Sequence, residues 1–328
     1  MTYAITRRTL GGTAIAAFAI GGAIGGAIGR ARAAGPEEIR VDWATYNPVS
    51  LILKDQGLLE KEFAADKIAI RWVMSAGSNK ALEFLNAGSL DFGSTAGAAA
   101  LIAKVNGNPL KSIYVFSRPE WTALVTGKDS PIKTVADLKG QRVAVTRGTD
   151  PHIFLVRALA GAGLTEKDVK LVLLQHADGR TALERGDVNA WAGLDPLMAA
   201  SEVESGARLF FRKPEANTWG VLNVREDFAK SNPALVKRVL TVYETARKWC
   251  LAHPAELKAS MMAATKLSDP VISKQLERTD ISSGKIGAVQ AATIVEAGKA
   301  LQAAGVLDEK LDMAAITNGM IDASYLPA

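Results

Sequence analysis

Six short segments of the chain place small polar side chains, in five of them together with glycine, directly before an apolar, helix-like stretch. Such residues can donate hydrogen bonds to an anion, because hydroxyls and the unpaired N–H groups of a helix N-terminus are both available there. Each segment alone would be an ordinary helix N-cap, so the prediction depends on all six facing one cleft. They are residues 46–50, 75–79, 93–97, 147–151, 176–180 and 193–196.

Residues that could do covalent or metal chemistry are few and scattered. The three histidines, His152, His176 and His253, have no metal-ligand spacing. The single cysteine, Cys250, excludes an intramolecular disulfide and a cysteine-cluster metal site. The sequence also has no nucleophile-elbow, P-loop or dinucleotide-binding motif. We therefore expect a binding site without a cofactor rather than a catalytic centre.

Tryptophans and one acidic residue close to these segments could shape a binding site. Trp219 is the better candidate for a wall against an organic tail, Trp121 is a second one, and Trp191 could equally well be a core residue. Asp195 precedes Pro196 and would favour a ligand with an amine if it faced the cleft, although it could instead only cap a helix.

The six segments connect alternating strand-like and helix-like stretches. This βαβαβ pattern is typical of a parallel, doubly wound sheet, in which ligands bind beyond the C-terminal ends of the strands. The predicted elements of the first unit are strands at 39–44, 68–73 and 90–93, and helices at 49–63, 80–87 and 96–105.

The same order of elements occurs again about 100 residues later, with the motif at 81–93 matched at 182–193. Two units on one plan indicate two lobes, and the apolar runs 112–116 and 218–224 are the predicted crossovers between them. We predict an α/β fold of two doubly wound βαβ lobes joined by two crossover strands. Lobe one is expected to comprise 36–116 plus 225–328, and lobe two 118–217.

The first 33 residues have the order of an export signal. Arg7 and Arg8 form a twin-arginine pair, an apolar stretch follows at 11–28, and 31–33 is a small-x-small cleavage site. A permanent membrane anchor is the alternative. The formal net charge of the full chain is +5 at pH 7. The signal contains four arginines and no acidic residue, so the rest of the chain has 35 basic and 34 acidic side chains and a net charge of +1. We therefore expect no nucleic-acid partner.

Several of these residues resemble a known family. The segment 135–145, the run 93–95 after the third strand, Trp191 and the pair at 195–196 are similar to periplasmic substrate-binding components of sulfonate, taurine and nitrate ABC importers. The resemblance covers residues 38–325. It implies the type II periplasmic-binding fold, with an anionic group held by helix N-termini and hydroxyls. The loop 148–152 contains an Asp and a His where sulfonate binders often have a small polar loop, which leaves the substrate open.

Transferred to this sequence, the resemblance implies that residues from several of the six segments line a pocket. These are Asn47, Ser50, Gly77, Ser78, Thr95, Thr149 and Asp195. The further residues that we expect at the ligand are Ser94, Trp121, Gly148, His152, Asn217 and Trp219.

The expected function is solute binding for an ABC importer in the periplasm. The ligand would be a small anionic or zwitterionic solute of the sulfonate or taurine kind, the protein a monomer, and its partner the permease in the inner membrane. Two alternatives remain open on the same fold, a thiamine-pyrimidine-precursor synthase-like enzyme and a ligand-carrying sensor subunit. That enzyme's cysteine-rich motif is absent from the sequence, which has one cysteine.

Overall fold

In a computed structural model that describes residues 35–327, the chain folds around two separate β-sheets. The predicted export signal at 1–33 lies outside the described residues. Within 35–327, no helix has the length and apolar character needed to cross a membrane. The strands are β1 (Glu38–Trp43), β2 (Ala69–Met74), β3 (Phe92–Ala96), β4 (Leu110–Pro119), β5 (Leu124–Thr126), β6 (Arg142–Val145), β7 (Lys170–Leu173), β8 (Ala190–Ala192), β9 (Arg208–Phe211), β10 (Gly220–Arg225) and β11 (Thr279–Asp280).

Helices cover both sheets and make up most of the C-terminal third. They are α1 (Pro48–Asp55), α2 (Leu58–Phe63), α3 (Ser78–Asn86), α4 (Gly97–Val105), α5 (Asp150–Gly161), α6 (His176–Arg185), α7 (Leu197–Ser205), α8 (Glu226–Ser231), α9 (Pro233–Ala252), α10 (Pro254–Thr265), α11 (Asp269–Glu277), α12 (Ala288–Ala303) and α13 (Met313–Met320).

The two sheets share one plan. In the first, the order is β11-β4-β10-β3-β1-β2, with β1 parallel to β2 and β3, and β10 antiparallel to β3. In the second, the order is β7-β6-β8-β5-β9, with β6 parallel to β7 and β8, and β5 antiparallel to β8. Each sheet is thus a parallel triplet extended by antiparallel strands, and the predicted fold class is confirmed.

The two crossover strands are neighbours in the first sheet. β4 leads the chain toward the second sheet and β10 returns it, and the two pair antiparallel along most of their length. β4 is longer than the apolar run 112–116 that predicted it, because it begins at Leu110 and continues to Pro119. β10 is shifted relative to the run 218–224, because it begins at Gly220 and continues to Arg225.

Helices after β10 pack on the first sheet. α9 starts with Pro233, whose missing N–H costs nothing at that position. Its buried side chains recur every three or four residues, as Val236, Val239, Leu240 and Tyr243 do, so one face of the helix joins the core formed by β1, β3, β4 and β10.

Some short strands differ from the sequence-based prediction. β5 and β9, of three and four residues, were not predicted, since runs so short carry almost no periodic signal. The third strand lies at 92–96 instead of 90–93, because Ser94 and Thr95 are fully buried in the sheet and are not part of a loop.

A buried ion pair joins the first sheet at β1, β3 and β10. Asp91, which is fully buried before β3, accepts hydrogen bonds from the Arg40 backbone N–H at 2.8 Å and from Arg40 Nη2 at 2.7 Å. Arg225 Nη2 lies 3.7 Å from the same carboxylate. Removing the Asp91 charge would leave both arginines without this partner in a poorly solvated site.

We expect Asp91→Asn to lower the free energy of unfolding by about 3 kcal/mol, the lower end for a broken buried pair, because the Arg40 side chain is 26% exposed. The measurement is urea denaturation followed by circular dichroism. Asp227→Asn is the matched control, since Asp227 pairs with Arg225 but is 70% exposed, and it should cost less than about 1 kcal/mol. Equal losses in the two variants would contradict this role for Asp91.

Candidate ligand-binding site

A small cavity lies between the two sheets, where helix N-termini from both lobes meet. Tyr46 and Ser78 line it from the first lobe, and Trp121 lines it from the connection that follows β4. The second lobe contributes Thr149, Asp150, Pro151 and Leu194. The cavity has a volume of about 10 Å³, close to the minimum for one water molecule. An organic solute could enter only after the lobes had moved apart.

The N-terminus of α5 supplies one wall of this cavity. Gly148 has φ +77°, a conformation that favours glycine, and turns the chain into the helix. Thr149 Oγ1 donates to the Thr146 carbonyl at 2.6 Å, so this hydroxyl is fixed in position and is 1% exposed in the closed form.

Asp150, at the first position of α5, connects the second lobe to both crossovers. Its Oδ2 accepts from Trp121 Nε1 at 2.8 Å and from the Thr218 backbone N–H at 2.9 Å. Its Oδ1 accepts from Thr218 Oγ1 at 2.6 Å. Burial is the largest influence on this carboxyl and raises its pKa, against the effect of the Thr218 and Trp121 hydrogen bonds.

Thr218 extends this connection to the first lobe. Its Oγ1 accepts from the Ala98 backbone N–H at 3.1 Å, and the Trp219 carbonyl accepts from the Gly97 N–H at 2.9 Å. The first N–H groups of α4 are therefore paired with the chain just before β10. One threonine and one carboxylate thus link the N-termini of α4 and α5, one from each lobe.

Four of the predicted site residues form a network behind the cavity instead of lining it. Asn47 Nδ2 donates to Ser94 Oγ at 2.8 Å, and Ser50 Oγ donates to the Asn47 carbonyl at 2.7 Å. Thr95 Oγ1 accepts from Asn223 Nδ2 at 2.8 Å. These hydroxyls and amides hold the loops of the first lobe in place.

A buried carboxylate anchors that network. Asp42 accepts from the Ser94 backbone N–H at 2.9 Å and from Ser94 Oγ at 2.8 Å. Burial raises the pKa of Asp42 to about 6, although the bonds from Ser94 act in the opposite direction.

Ser78 and Gly77 lie where the lobes touch. Ser78 Oγ accepts from the Ala96 backbone N–H at 3.0 Å and lines the cavity. A Cβ added at Gly77 would lie 3.0 Å from His176 Nε2 of the second lobe, so a side chain at 77 would push the lobes apart. His176 is itself buried, and burial lowers its pKa to about 3, which keeps the ring neutral at pH 7.

Three other predicted residues are placed away from the cavity. His152 Nε2 lies 2.9 Å from Glu166 Oε1, and Asn217 Oδ1 accepts from the Thr122 N–H at 3.0 Å. Trp219 is half-buried, with Arg118 5.4 Å from its ring centre. Its Nε1 donates to Thr293 Oγ1 of α12 at 3.4 Å.

Asp195 takes part in a charged contact between the lobes. Its Oδ1 accepts from the Ala199 N–H at 2.9 Å, and its Oδ2 lies 3.6 Å from Arg278 Nη1 of the first lobe. Arg278 also pairs with Glu202 of α7. Burial raises the pKa of Asp195 to about 7, more than the nearby Arg278 lowers it.

Apolar packing closes the lobes on the other side of the cavity. Ile153 and Val156 of α5 form one buried cluster with Ala98 of α4 and with Ala297 and Leu301 of α12. The members from both lobes are nearly fully buried, so the two lobes are in direct apolar contact here.

A larger groove, of about 690 Å³, lies on the outer side of α5 against Phe210, Phe211 and α12. None of the predicted site residues lines it. Because helix N-termini from two lobes converge only on the smaller cavity among the cavities described, that cavity is the candidate site.

Sequence reasoning missed five residues of the site, among them Pro151 and Leu194, which line the cavity. Tyr46 lines the cavity from the turn before α1, Asp150 carries its carboxylate, and Thr218 joins the helices. Tyr46 and Asp150 fell inside the six loop segments, so the signal was present. Thr218 had no such signal, because its role depends on a contact 120 residues away in the chain.

Comparison with known proteins places the chain in a family. The family model described as NMT1/THI5 like matches residues 62–257. The chain belongs to the NMT1/THI5-like family. An aliphatic sulfonates-binding protein of Escherichia coli (strain K12) is 32% identical over 244 residues, which are 74% of this chain and 76% of that protein.

Two solved structures have a similar fold. The alkanesulfonate-binding protein SsuA from Xanthomonas axonopodis pv. citri, bound to MOPS, has a TM-score of 0.79 at 24% identity, covering 88% of this chain and 99% of that one. The periplasmic aliphatic sulphonate binding protein SsuA from Escherichia coli has a TM-score of 0.72 at 30% identity, covering 85% and 91%. These close relatives of this NMT1/THI5-like chain are binding proteins and not enzymes.

The raised pKa of Asp195 predicts a specific pH dependence. The folded state binds the proton more tightly than the unfolded chain does, so this carboxyl contributes stability below about pH 4 that is lost as the pH rises through about 7. As the pH rises from about 4 to about 7, the free energy of unfolding of the wild type should fall by on the order of 2–4 kcal/mol relative to that of Asp195→Asn.

The measurement is a series of urea denaturation curves for both proteins between pH 4 and 8. Asp42 titrates in both proteins and cancels in the difference. A stability difference that does not change with pH would contradict the assignment to Asp195.

Proposed function

We propose that this protein is the extracytoplasmic solute-binding component of an ABC importer and takes a small anionic or zwitterionic organic solute in the cleft between its lobes. The observation that carries this proposal is the convergence of the N-termini of α3 and α5, from different lobes, on one cavity. The relatives named as sulfonate binders support the ligand class.

The polar head of the solute would be held mainly by uncharged donors. Ser78 begins α3 and offers a hydroxyl hydrogen, and Thr149 precedes α5, where its hydroxyl would turn from the Thr146 carbonyl toward the solute. Both lie beside the N–H groups that a first helical turn leaves unpaired. Tyr46 and Trp121, whose rings meet edge to face at 5.8 Å, offer an apolar wall for the carbon chain.

Binding would couple to closure of the lobes about the crossovers. In the described form the cavity is too small for a solute, and the lobes touch at Gly77 and His176 and at α5 and α12. Opening about the paired strands β4 and β10 would admit the solute, and closing would complete its contacts from both sides. Reopening at the permease would then release the solute.

The sensor-subunit alternative shares this binding mechanism and differs only in its partner. A gene neighbourhood that encodes a permease and an ATPase favours import, whereas a neighbouring histidine kinase favours sensing. We propose the importer because the relatives' names describe sulfonate-binding proteins.

We further propose that a twin-arginine signal exports the protein and that the mature chain begins near Ala34. The basis is the Arg7-Arg8 pair and the small residues at 31–33. Intact-mass analysis of the periplasmic fraction should give a chain starting at or near Ala34. A periplasmic product that retains 11–28 would contradict cleavage.

A thermal-shift screen of the mature protein tests the binding function. Taurine, alkanesulfonates, aromatic sulfonates, sulfate esters and nitrate form the panel. A ligand at about 100 times its dissociation constant should stabilise the fold by roughly 2.7 kcal/mol. If no member of the panel raises the melting temperature, the proposed ligand class is wrong.

Calorimetry on a pair of variants then locates the site. Thr149→Ala should weaken binding of the identified ligand about fivefold, the effect of one neutral hydrogen bond. Thr181→Ala is the matched control, because Thr181 Oγ1 also donates to a nearby backbone carbonyl, at 3.0 Å, but lies exposed on α6. Equal affinities in the two variants would place the ligand outside this cavity.

A further inference from the structure

Asp150 is the single carboxylate among the seven residues that line the cavity, and it is 2% exposed. The other lining residues are neutral at pH 7: Tyr46, Ser78, Trp121, Thr149, Pro151 and Leu194. The cavity therefore already contains an acidic group at the helix N-terminus where a bound anion would otherwise be most stable.

The donors that satisfy Asp150 are all neutral. Trp121 Nε1, the Thr218 N–H and Thr218 Oγ1 supply three hydrogen bonds. Among residues 35–327, no basic side chain forms an ion pair with Asp150 within 4 Å, whereas Asp91 and Asp195 each have an arginine within that distance. The carboxylate thus has no ion-pair partner in the closed form. Arg157, whose Nη1 donates to the Ala216 carbonyl, lowers the pKa of Asp150 only from beyond ion-pair distance.

A bare anion and Asp150 would share a closed, poorly solvated space. Two negative charges in such a site repel strongly, and one of them must take up a proton to relieve the repulsion. A ligand that brings an ammonium group removes this problem, since the ammonium can pair with the carboxylate. Oδ1 accepts one hydrogen bond in the described structure, so it has capacity for another.

We propose that Asp150 is a specificity-determining residue that makes the cleft prefer zwitterionic solutes, with an ammonium group beside Asp150, over anions of the same size without an amine. The acidic head of such a solute would lie toward the N-terminus of α3, at Ser78. This proposal rests on the proposed function, which left the choice between anionic and zwitterionic ligands open.

Burial also raises the pKa of the Asp150 carboxyl, which agrees with this geometry. A carboxylate that lacks a charged partner gains more from an incoming cation than one that is already paired. Asp195, which sequence analysis put forward for amine binding, is such a paired carboxylate, lies next to Arg278 and does not line the cavity.

The test compares two matched ligands by calorimetry at pH 7.5. Taurine and ethanesulfonate share a two-carbon sulfonate and differ in the amine, and 3-aminopropanesulfonate with propanesulfonate forms a second pair. Wild-type protein should bind the amino member of a pair tighter by roughly tenfold or more, the effect of a hydrogen bond to a charged group. In Asp150→Asn this ratio should fall to near one, because the ammonium loses its charged partner and the bare sulfonate no longer lies beside a carboxylate.

Asp195→Asn is the control, because Asp195 is as buried as Asp150 and lies outside the cavity. This variant should leave the ratio of the affinities for taurine and ethanesulfonate unchanged, even if it weakens binding of both ligands by altering closure of the lobes. A ratio that collapses in Asp195→Asn and persists in Asp150→Asn would overturn the assignment.

The wild-type ratio decides the matter even if Asp150→Asn does not fold. A bare sulfonate that binds wild-type protein as tightly as its amino counterpart overturns the role of Asp150 while leaving the proposed function intact. If neither member of either pair binds and the thermal-shift panel is also negative, the proposed function itself fails, and this inference fails with it.

Discussion

The pairing of β4 with β10 is the constraint on which the rest of the molecule depends. Because the outgoing and returning chains are hydrogen-bonded neighbours in one sheet, the second lobe can move only about a narrow, two-stranded attachment. Residues just beyond this attachment, Trp121 and Thr218, then bind the Asp150 carboxylate. The hinge and the candidate site are therefore one hydrogen-bonded unit, and a change in the site acts directly on the hinge.

Internal charge is used differently in the two lobes. In the first lobe, Asp42 accepts hydrogen bonds from the backbone N–H and Oγ of Ser94, which in turn accepts from Asn47. This carboxylate holds the backbone in place and does not line the cavity. In the second lobe, Asp150 occupies the N-terminus of a helix whose partial positive charge would suit an external anion. The helix dipole is thus partly neutralised by the protein's own side chain.

The fold could be predicted from the sequence because its signal is periodic and repeated. The parallel triplets of both sheets were visible in alternating apolar stretches, whereas β5 and β9 are too short to show a period. The site was predicted less well. The loops were found, but Ser94 and Thr95 looked like loop residues and are buried in β3, and the part played by Thr218 depends on partners distant in sequence. Residue type identifies a polar group, but only the packed structure shows whether another protein group already binds it.

The apolar cluster shared by α4, α5 and α12 has a consequence for how the molecule responds to temperature. Separating the lobes hydrates Ile153, Val156 and Leu301, which are nearly fully buried in the closed form. The free energy of hydrating apolar surface is mainly entropic near room temperature and becomes smaller on cooling. Cold therefore shifts the empty protein toward its open form, and closure carries a negative heat-capacity change of its own, separate from any contact with the solute.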